Sequence, residues 1–146
     1  MRKFKLSLES VLMVRQKTLE NERIRLASIM DVYNRQNDVL NEMNLKLSEL
    51  SSETEKLLQQ GIINPQLIAN YNSFSQKLVH DITTQNEIIK KTKIDLDRQQ
   101  EKTKKAYIDV KTLENLREKQ KERYNQEFAL EEIKILDDIV SSRKRA

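Results

Sequence analysis

The sequence predicts an all-α protein: a two-helix antiparallel coiled coil, or helical hairpin, whose second helix is longer than the first. Three observations support this prediction: the composition, a sustained 3.5-residue spacing of apolar residues, and the positions of the only glycine and the only proline. Of the 146 residues, 34% are charged, 37% are hydrophobic and 5% are aromatic, a mixture typical of long solvated helices. A chain of this length allows one domain, so residues 1–146 are expected to form a single coiled-coil domain.

Helix one is expected at about residues 5–60, on the evidence of the apolar repeat. Steps of alternately four and three residues from Leu8 reach fifteen positions, of which eleven are apolar. These positions are Leu8, Leu12, Arg15, Leu19, Glu22, Leu26, Ile29, Tyr33, Gln36, Leu40, Met43, Leu47, Leu50, Thr54 and Leu57. A repeat held over about seven heptads keeps one seam against a partner helix. Disorder, the competing interpretation of so charged a chain, does not require this register.

The turn is expected at residues 61–64, where the only glycine and the only proline lie four residues apart. Gly61 suits the left-handed position that ends a helix. Asn64 suits the N-cap of the next helix, and Pro65 suits its first position, where the missing N–H costs nothing. Two helices joined by so short a connection run antiparallel.

Helix two is expected at about residues 65–141, with a less regular seam. The four-three rhythm passes through Leu67, Tyr71, Phe74 and Leu78. The next step, to Ile82, is a second consecutive four, a stutter that locally unwinds the supercoil. Six of the thirteen seam positions from there to Tyr124 are polar. Such residues fix the register of a coiled coil at a cost in stability.

The end of helix two is expected to extend past its partner. If the turn centres near residues 62–63, residue i faces about residue 125 − i, and about twenty residues of helix two project beyond helix one. The apolar members of this overhang are Tyr124, Phe128, Ala129, Leu130, Ile133, Ile135, Leu136, Ile139 and Val140. A lone helix would not keep so much apolar surface without a second protein to cover it.

Other functional classes find little support in the residues. The chain has no Cys, one His and one Gly, so thiolate metal sites, multi-histidine sites and Gly-rich phosphate loops are excluded. No stretch is long and apolar enough for a membrane span. Residues 90–123 carry twelve Lys or Arg against seven Asp or Glu, but only Tyr107 supplies an aromatic side chain there, so nucleic-acid binding is disfavoured. We therefore expect no enzyme activity, no cofactor and no metal.

Both ends of the chain resemble the FliJ family, the small coiled-coil component of the bacterial flagellar type III export apparatus. The opening run Phe4–Arg15 (FKLSLESVLMVR) looks like the start of that family, and Leu113–Lys119 (LENLREK) looks like its closing section. Glu131-Glu132 and Leu136–Ile139 (LDDI) continue this closing section. The length, the Gly-to-Pro break and the longer second helix are similar as well.

This resemblance implies a non-enzymatic adaptor with defined partners. FliJ-like proteins are antiparallel two-helix coiled coils, similar to the central stalk of rotary ATPases. They bind the hexameric flagellar export ATPase, link it to the export gate protein and serve as export chaperones or escorts, interacting with other export chaperones. The resemblance further implies a cytoplasmic protein peripherally associated with the inner membrane at the flagellar base.

The resemblance implies one set of contact residues, and the exposed overhang suggests the other. The gate-binding stripe would comprise Tyr71, Phe74 and Leu78, although Asp81 and Gln85 are more polar than its continuation should be. The ATPase would bind the overhang through Phe128, Glu131, Ile135, Leu136 and Ile139. A generic coiled-coil tether or self-associating rod, unrelated to an ATPase, stays open as the alternative function. For the overhang itself, the alternative is that it folds back or pairs with a second copy.

Overall fold

A computed structural model describes residues 6–61 and 64–145, with side-chain positions for residues 8–61 and 64–144. It contains two helices, α1 (Leu6–Gln59) and α2 (Pro65–Arg145), which pack against each other and make the structure 98% helical. The second helix is the longer one, and the described residues contain no strand, so the fold-class prediction is confirmed. Helix α2 continues to Arg145, beyond the expected end near residue 141.

The chemistry of the turn residues ends one helix and starts the next. Gly61 adopts φ +73°, a left-handed conformation that side-chain-bearing residues rarely adopt, and its N–H donates to the Leu58 carbonyl at 3.2 Å. The Asn64 side-chain oxygen accepts hydrogen bonds from the backbone N–H groups of Gln66 (3.0 Å) and Leu67 (3.4 Å). Asn64 is therefore the predicted N-cap. Residues 62–63, at the centre of the predicted turn, and residue 5 lie outside the described residues.

The seam predicted for α1 is confirmed with one exception. Of its fifteen positions, Leu12, Leu19 and Leu50 are buried and all the others except Arg15 are half-buried. Almost every residue between them is exposed. The 3.5-residue repeat therefore does identify the side of α1 that faces its partner, as expected for a coiled coil.

The seam of α2 corrects the prediction at Phe74. Its side chain is 52% exposed, whereas the neighbouring Ser75 is half-buried and Leu78 is buried. The protected positions Ile68, Tyr71, Ser75, Leu78 and Ile82 are separated by three, four, three and four residues. The heptad therefore continues unbroken through this part of α2, and the predicted stutter between Leu78 and Ile82 is wrong.

The chain divides into two compact units, each containing parts of both helices. The termini unit comprises Met1–Arg23 and Lys102–Ala146, and the turn unit comprises Ile24–Glu101. Whether the 146 residues behave as the single domain expected from the sequence stays a prediction.

Within the termini unit, α1 and α2 run antiparallel around a small apolar core. Leu12, Leu19, Ala106 and Val110 form a buried cluster against which Leu113 packs. Polar contacts also join the helices around this core. The Thr103 hydroxyl donates to the Glu22 carbonyl at 3.3 Å, and Arg117 pairs with Glu9 at 3.6 Å. Thr103 opposite Glu22 is the register expected from residue i facing residue 125 − i.

Within the turn unit, the seam contains buried leucines and a polar contact between the helices. Leu50, Leu78 and Leu96 are buried. Gln85 donates from its side-chain amide to the Gln36 carbonyl oxygen at 2.9 Å. A side-chain oxygen of Gln36 is buried without a hydrogen-bond partner, which is a destabilising arrangement.

Candidate interaction surfaces

The overhang, defined here as residues 125–144 of α2, presents every one of its side chains to solvent. Among the described side chains of α2, Tyr124 is the last that is half-buried. Its ring stacks on that of Phe128 with centroids 6.5 Å apart and ring planes 13° from parallel. If the heptad of the paired region continued, its next seam positions would be Glu127, Glu131, Lys134 and Asp138, all charged. A paired seam at these positions would bury charges. The apolar residues of the overhang therefore occupy other heptad positions than those of the seam in the paired region.

Six of the apolar residues of the overhang form two stripes. Phe128, Ile135 and Ile139 form the first stripe, within an arc of about 40° at 100° per residue. Ile133, Leu136 and Val140 form the second stripe, centred about 110° further round the helix. All six side chains are exposed, and Phe128, the least exposed together with Ile139, is still 47% accessible. Such an apolar surface is typical of an interaction site.

The predicted ATPase-binding residues are distributed over three sides of the overhang. Phe128, Ile135 and Ile139 lie together on the first stripe, whereas Leu136 lies on the second. Glu131 lies on the opposite border of the first stripe, about 60° from Phe128. The predicted set thus mixes two apolar faces with one acidic border, and leaves out Ile133 and Val140 of the second stripe.

A cleft of about 370 Å³ lies where the overhang begins, and sequence reasoning did not identify it. It is lined by Glu9, Arg117, Glu118, Lys121, Tyr124 and Asn125. The 3.6 Å ion pair between Arg117 and Glu9 forms part of its wall. The signal in the sequence was the absence of an apolar residue at the Arg117 and Gln120 seam positions, which marks the end of tight pairing.

The predicted gate-binding residues differ in accessibility. Leu78 is buried, with 7% of its surface accessible, and Tyr71 is half-buried. Of the three, only Phe74 is exposed, with 52% of its surface accessible. It lines a shallow groove in the turn unit with Met43, Lys46, Lys77, Leu78 and Asp81. A partner could therefore contact Phe74 directly, whereas Leu78 belongs to the seam.

The described residues hold no group of three or more His, Asp or Glu side chains placed to bind a metal ion. No helix in this part of the chain is long and apolar enough to cross a membrane.

Fold and surfaces define the class of this protein as a two-helix antiparallel coiled coil with an exposed apolar helix end. The family described as flagellar FliJ protein matches residues 4–145, so the chain belongs to the FliJ family, whose members are components of the flagellar export apparatus. No significant match was found among curated proteins or among solved structures.

Proposed function

We propose that the protein is the coiled-coil stalk of the flagellar export apparatus, binding the export ATPase ring through the overhang. Two observations support this proposal. The chain belongs to the FliJ family, and residues 125–144 present an apolar surface to solvent that burial against a partner would stabilise. A ring of similar subunits surrounds whatever lies in its lumen. Two apolar stripes about 110° apart suit such surroundings, since each can contact a different subunit.

A stalk of this kind acts by differential contact and needs no catalytic residue of its own. If the stripes bind one subunit conformation more tightly than another, they shift the populations of those conformations. The protein is then a non-enzymatic activator, and the ATPase supplies the chemistry. The resulting location is cytoplasmic, at the membrane-embedded export machinery.

Deletion of residues 127–146 tests this proposal. The shortened chain keeps the whole core of the termini unit, so we expect it to remain helical by circular dichroism while losing stimulation of the cognate flagellar export ATPase. A matched control replaces Gly61–Asn64 with a flexible linker of equal length and should stimulate the ATPase like the unchanged protein. Full stimulation by the shortened chain would exclude the overhang as the ATPase-binding surface.

The link to the export gate is proposed to centre on Phe74. This ring is exposed beside Lys46 and Lys77 in the turn unit, and an exposed aromatic residue is a common anchor of an interface. Phe74→Ala should weaken binding to the gate protein by about tenfold or more, in the range of an interface hot spot. Val79→Ala, at a similarly exposed residue outside the groove, is the control. Equal affinity of the two variants would remove Phe74 from the gate interface.

A role as export escort is part of the same proposal. Such a role requires that a chaperone bind while the stalk is away from the ATPase, and the overhang is accessible for this purpose. Competition between the ATPase and the cognate export chaperones for the full chain would support the shared surface, and simultaneous binding would place the chaperone elsewhere.

A further inference from the structure

One face of α2 in the termini unit changes the sign of its charge along the helix. Lys102 and Lys105 lie on this face where α2 is paired with α1, and Glu127, Glu131 and Asp138 lie on it in the overhang. These five residues fall within an arc of about 80° at 100° per residue, and all are exposed. The face is thus basic in its first part and acidic in its second, with Asp109 and Lys134 as the exceptions.

Exposed apolar residues border the basic part of this face. With Leu12 and Val110 as heptad position a, Val11 on α1 and Leu116 on α2 both occupy position g. The g positions of two antiparallel helices lie on the same side of the pair. This is because a two-fold axis normal to the plane of the two helices relates one helix to the other, and so relates their g positions. We call this side, with Val11, Val14, Leu116, Lys102 and Lys105, the g flank. Its three apolar side chains are exposed.

We propose that the overhang docks on the g flank of a second copy of this chain, and that the second copy docks in return. Two α2 helices that meet antiparallel along the described face, centred near residue 120, place residues 124–138 of each along residues 102–116 of the other. Asp138 of each copy then lies opposite Lys102 of the other, and Glu131 lies one helical turn from the position opposite Lys105, with Asp109 as the one like charge directly opposite Glu131. The same contact forms twice, as two-fold symmetry requires.

This arrangement also covers the apolar surfaces on both sides. The first stripe lies next to the row of Glu127, Glu131 and Asp138 on the overhang. When this row faces α2 of the second copy, the first stripe faces α1 of the second copy. There Phe128 approaches Val11 and Val14. Each copy thereby buries an exposed apolar stripe of the other, which favours association. Both complementary surfaces lie on one chain, and this is why a second copy is the occupant rather than an unrelated protein.

The inference concerns the free protein and does not depend on the ATPase. If the proposed function also holds, the dimer covers the first stripe, so a second copy and the ATPase compete for the overhang. The paired form would keep the apolar stripe from water until the ATPase is available.

Sedimentation velocity of the full-length chain at about 50 and about 500 mM salt tests the dimer. We expect a reversible dimer that weakens at the higher salt concentration, because exposed charge pairs are screened. The doubly substituted chain Glu131→Lys, Asp138→Lys and the doubly substituted chain Lys102→Glu, Lys105→Glu should each dimerise at least about tenfold more weakly. Mixed together, these two chains should restore association as a heterodimer, since each overhang then opposes a flank of opposite charge.

The matched control reverses two exposed carboxylates of the turn unit, Glu49→Lys and Glu55→Lys, and should dimerise like the unchanged protein. Circular dichroism of each chain establishes that it is folded. A monomeric unchanged protein up to about 200 µM would overturn the inference. So would a dimer that both reversals leave intact, or a mixture of the reversed chains that stays monomeric.

Discussion

The most exacting test of the seam compares two adjacent residues, Leu12 and Met13. Leu12 is 1% exposed within the cluster formed with Leu19, Ala106 and Val110, whereas Met13 is 70% exposed. Leu12→Ala removes three buried carbons, worth about 2.4 kcal/mol at about 0.8 kcal/mol each. A residual cavity adds to this loss, but a seam between only two helices can partly collapse. We expect a total of about 2–3 kcal/mol, in the lower part of the range for core leucines.

Urea unfolding followed by circular dichroism at 222 nm measures this difference. Met13→Ala removes a side chain of similar size from the exposed side of the same helical turn and should change the free energy of unfolding by less than ~0.5 kcal/mol. Equal losses for the two variants would refute the assignment of Leu12 to the seam, and with it the packing of α1 on α2 in the termini unit.

Three further changes test the turn and the polar layers, all measured by urea unfolding. Gly61→Ala should lower the free energy of unfolding by about 1–2 kcal/mol, because φ +73° is unfavourable for any residue with a side chain. The added Cβ itself meets no atom of a residue beyond the chain neighbours within 4 Å. An unchanged stability would mean that the turn backbone relaxes to another conformation. Asn64→Ala should cost about 0.5–2 kcal/mol through loss of the N-cap, with exposed Asn72→Ala as its control, and equal losses would contradict the capping role. Gln36→Leu should stabilise the chain by about 1 kcal/mol, because it removes a buried oxygen that has no partner; destabilisation would show that the oxygen is satisfied in solution.

The heptad pattern predicts the seam because burial in a two-helix coil depends on position along the helix more than on residue type. Gln85 and Thr103 are protected although they are polar, since the register places them between the helices. The prediction was wrong at Phe74 because there the apolar residue type was preferred over the heptad position, which belongs to Ser75. The narrow interface between two helices accommodates the small serine side chain. The phenylalanine side chain instead points away from the seam and lines the groove with Lys46 and Lys77.

The ends of the elements and the detailed surfaces were less accessible to sequence reasoning. Arg15 occupies a seam position by count but is exposed, because its long stem can leave the interface. The ion pair between Arg117 and Glu9 depends on the spatial register of two distant segments. Position in the sequence revealed the overhang, but only helical geometry separates its two apolar stripes. The roles of Phe128 and Leu136 in ATPase binding stay predictions.

The measurement that most directly tests the proposed function is the affinity of the full-length chain for the cognate flagellar export ATPase when only the first stripe is changed. Ile135→Ser with Ile139→Ser keeps the length and charge of the overhang, and Val32→Ser with Val39→Ser makes the same kind of change at two exposed residues of α1 in the turn unit. Isothermal titration calorimetry should show binding at least about tenfold weaker for the stripe variant and unchanged for the control. Equal affinities for the stripe variant and the unchanged protein would contradict binding of the ATPase through the overhang.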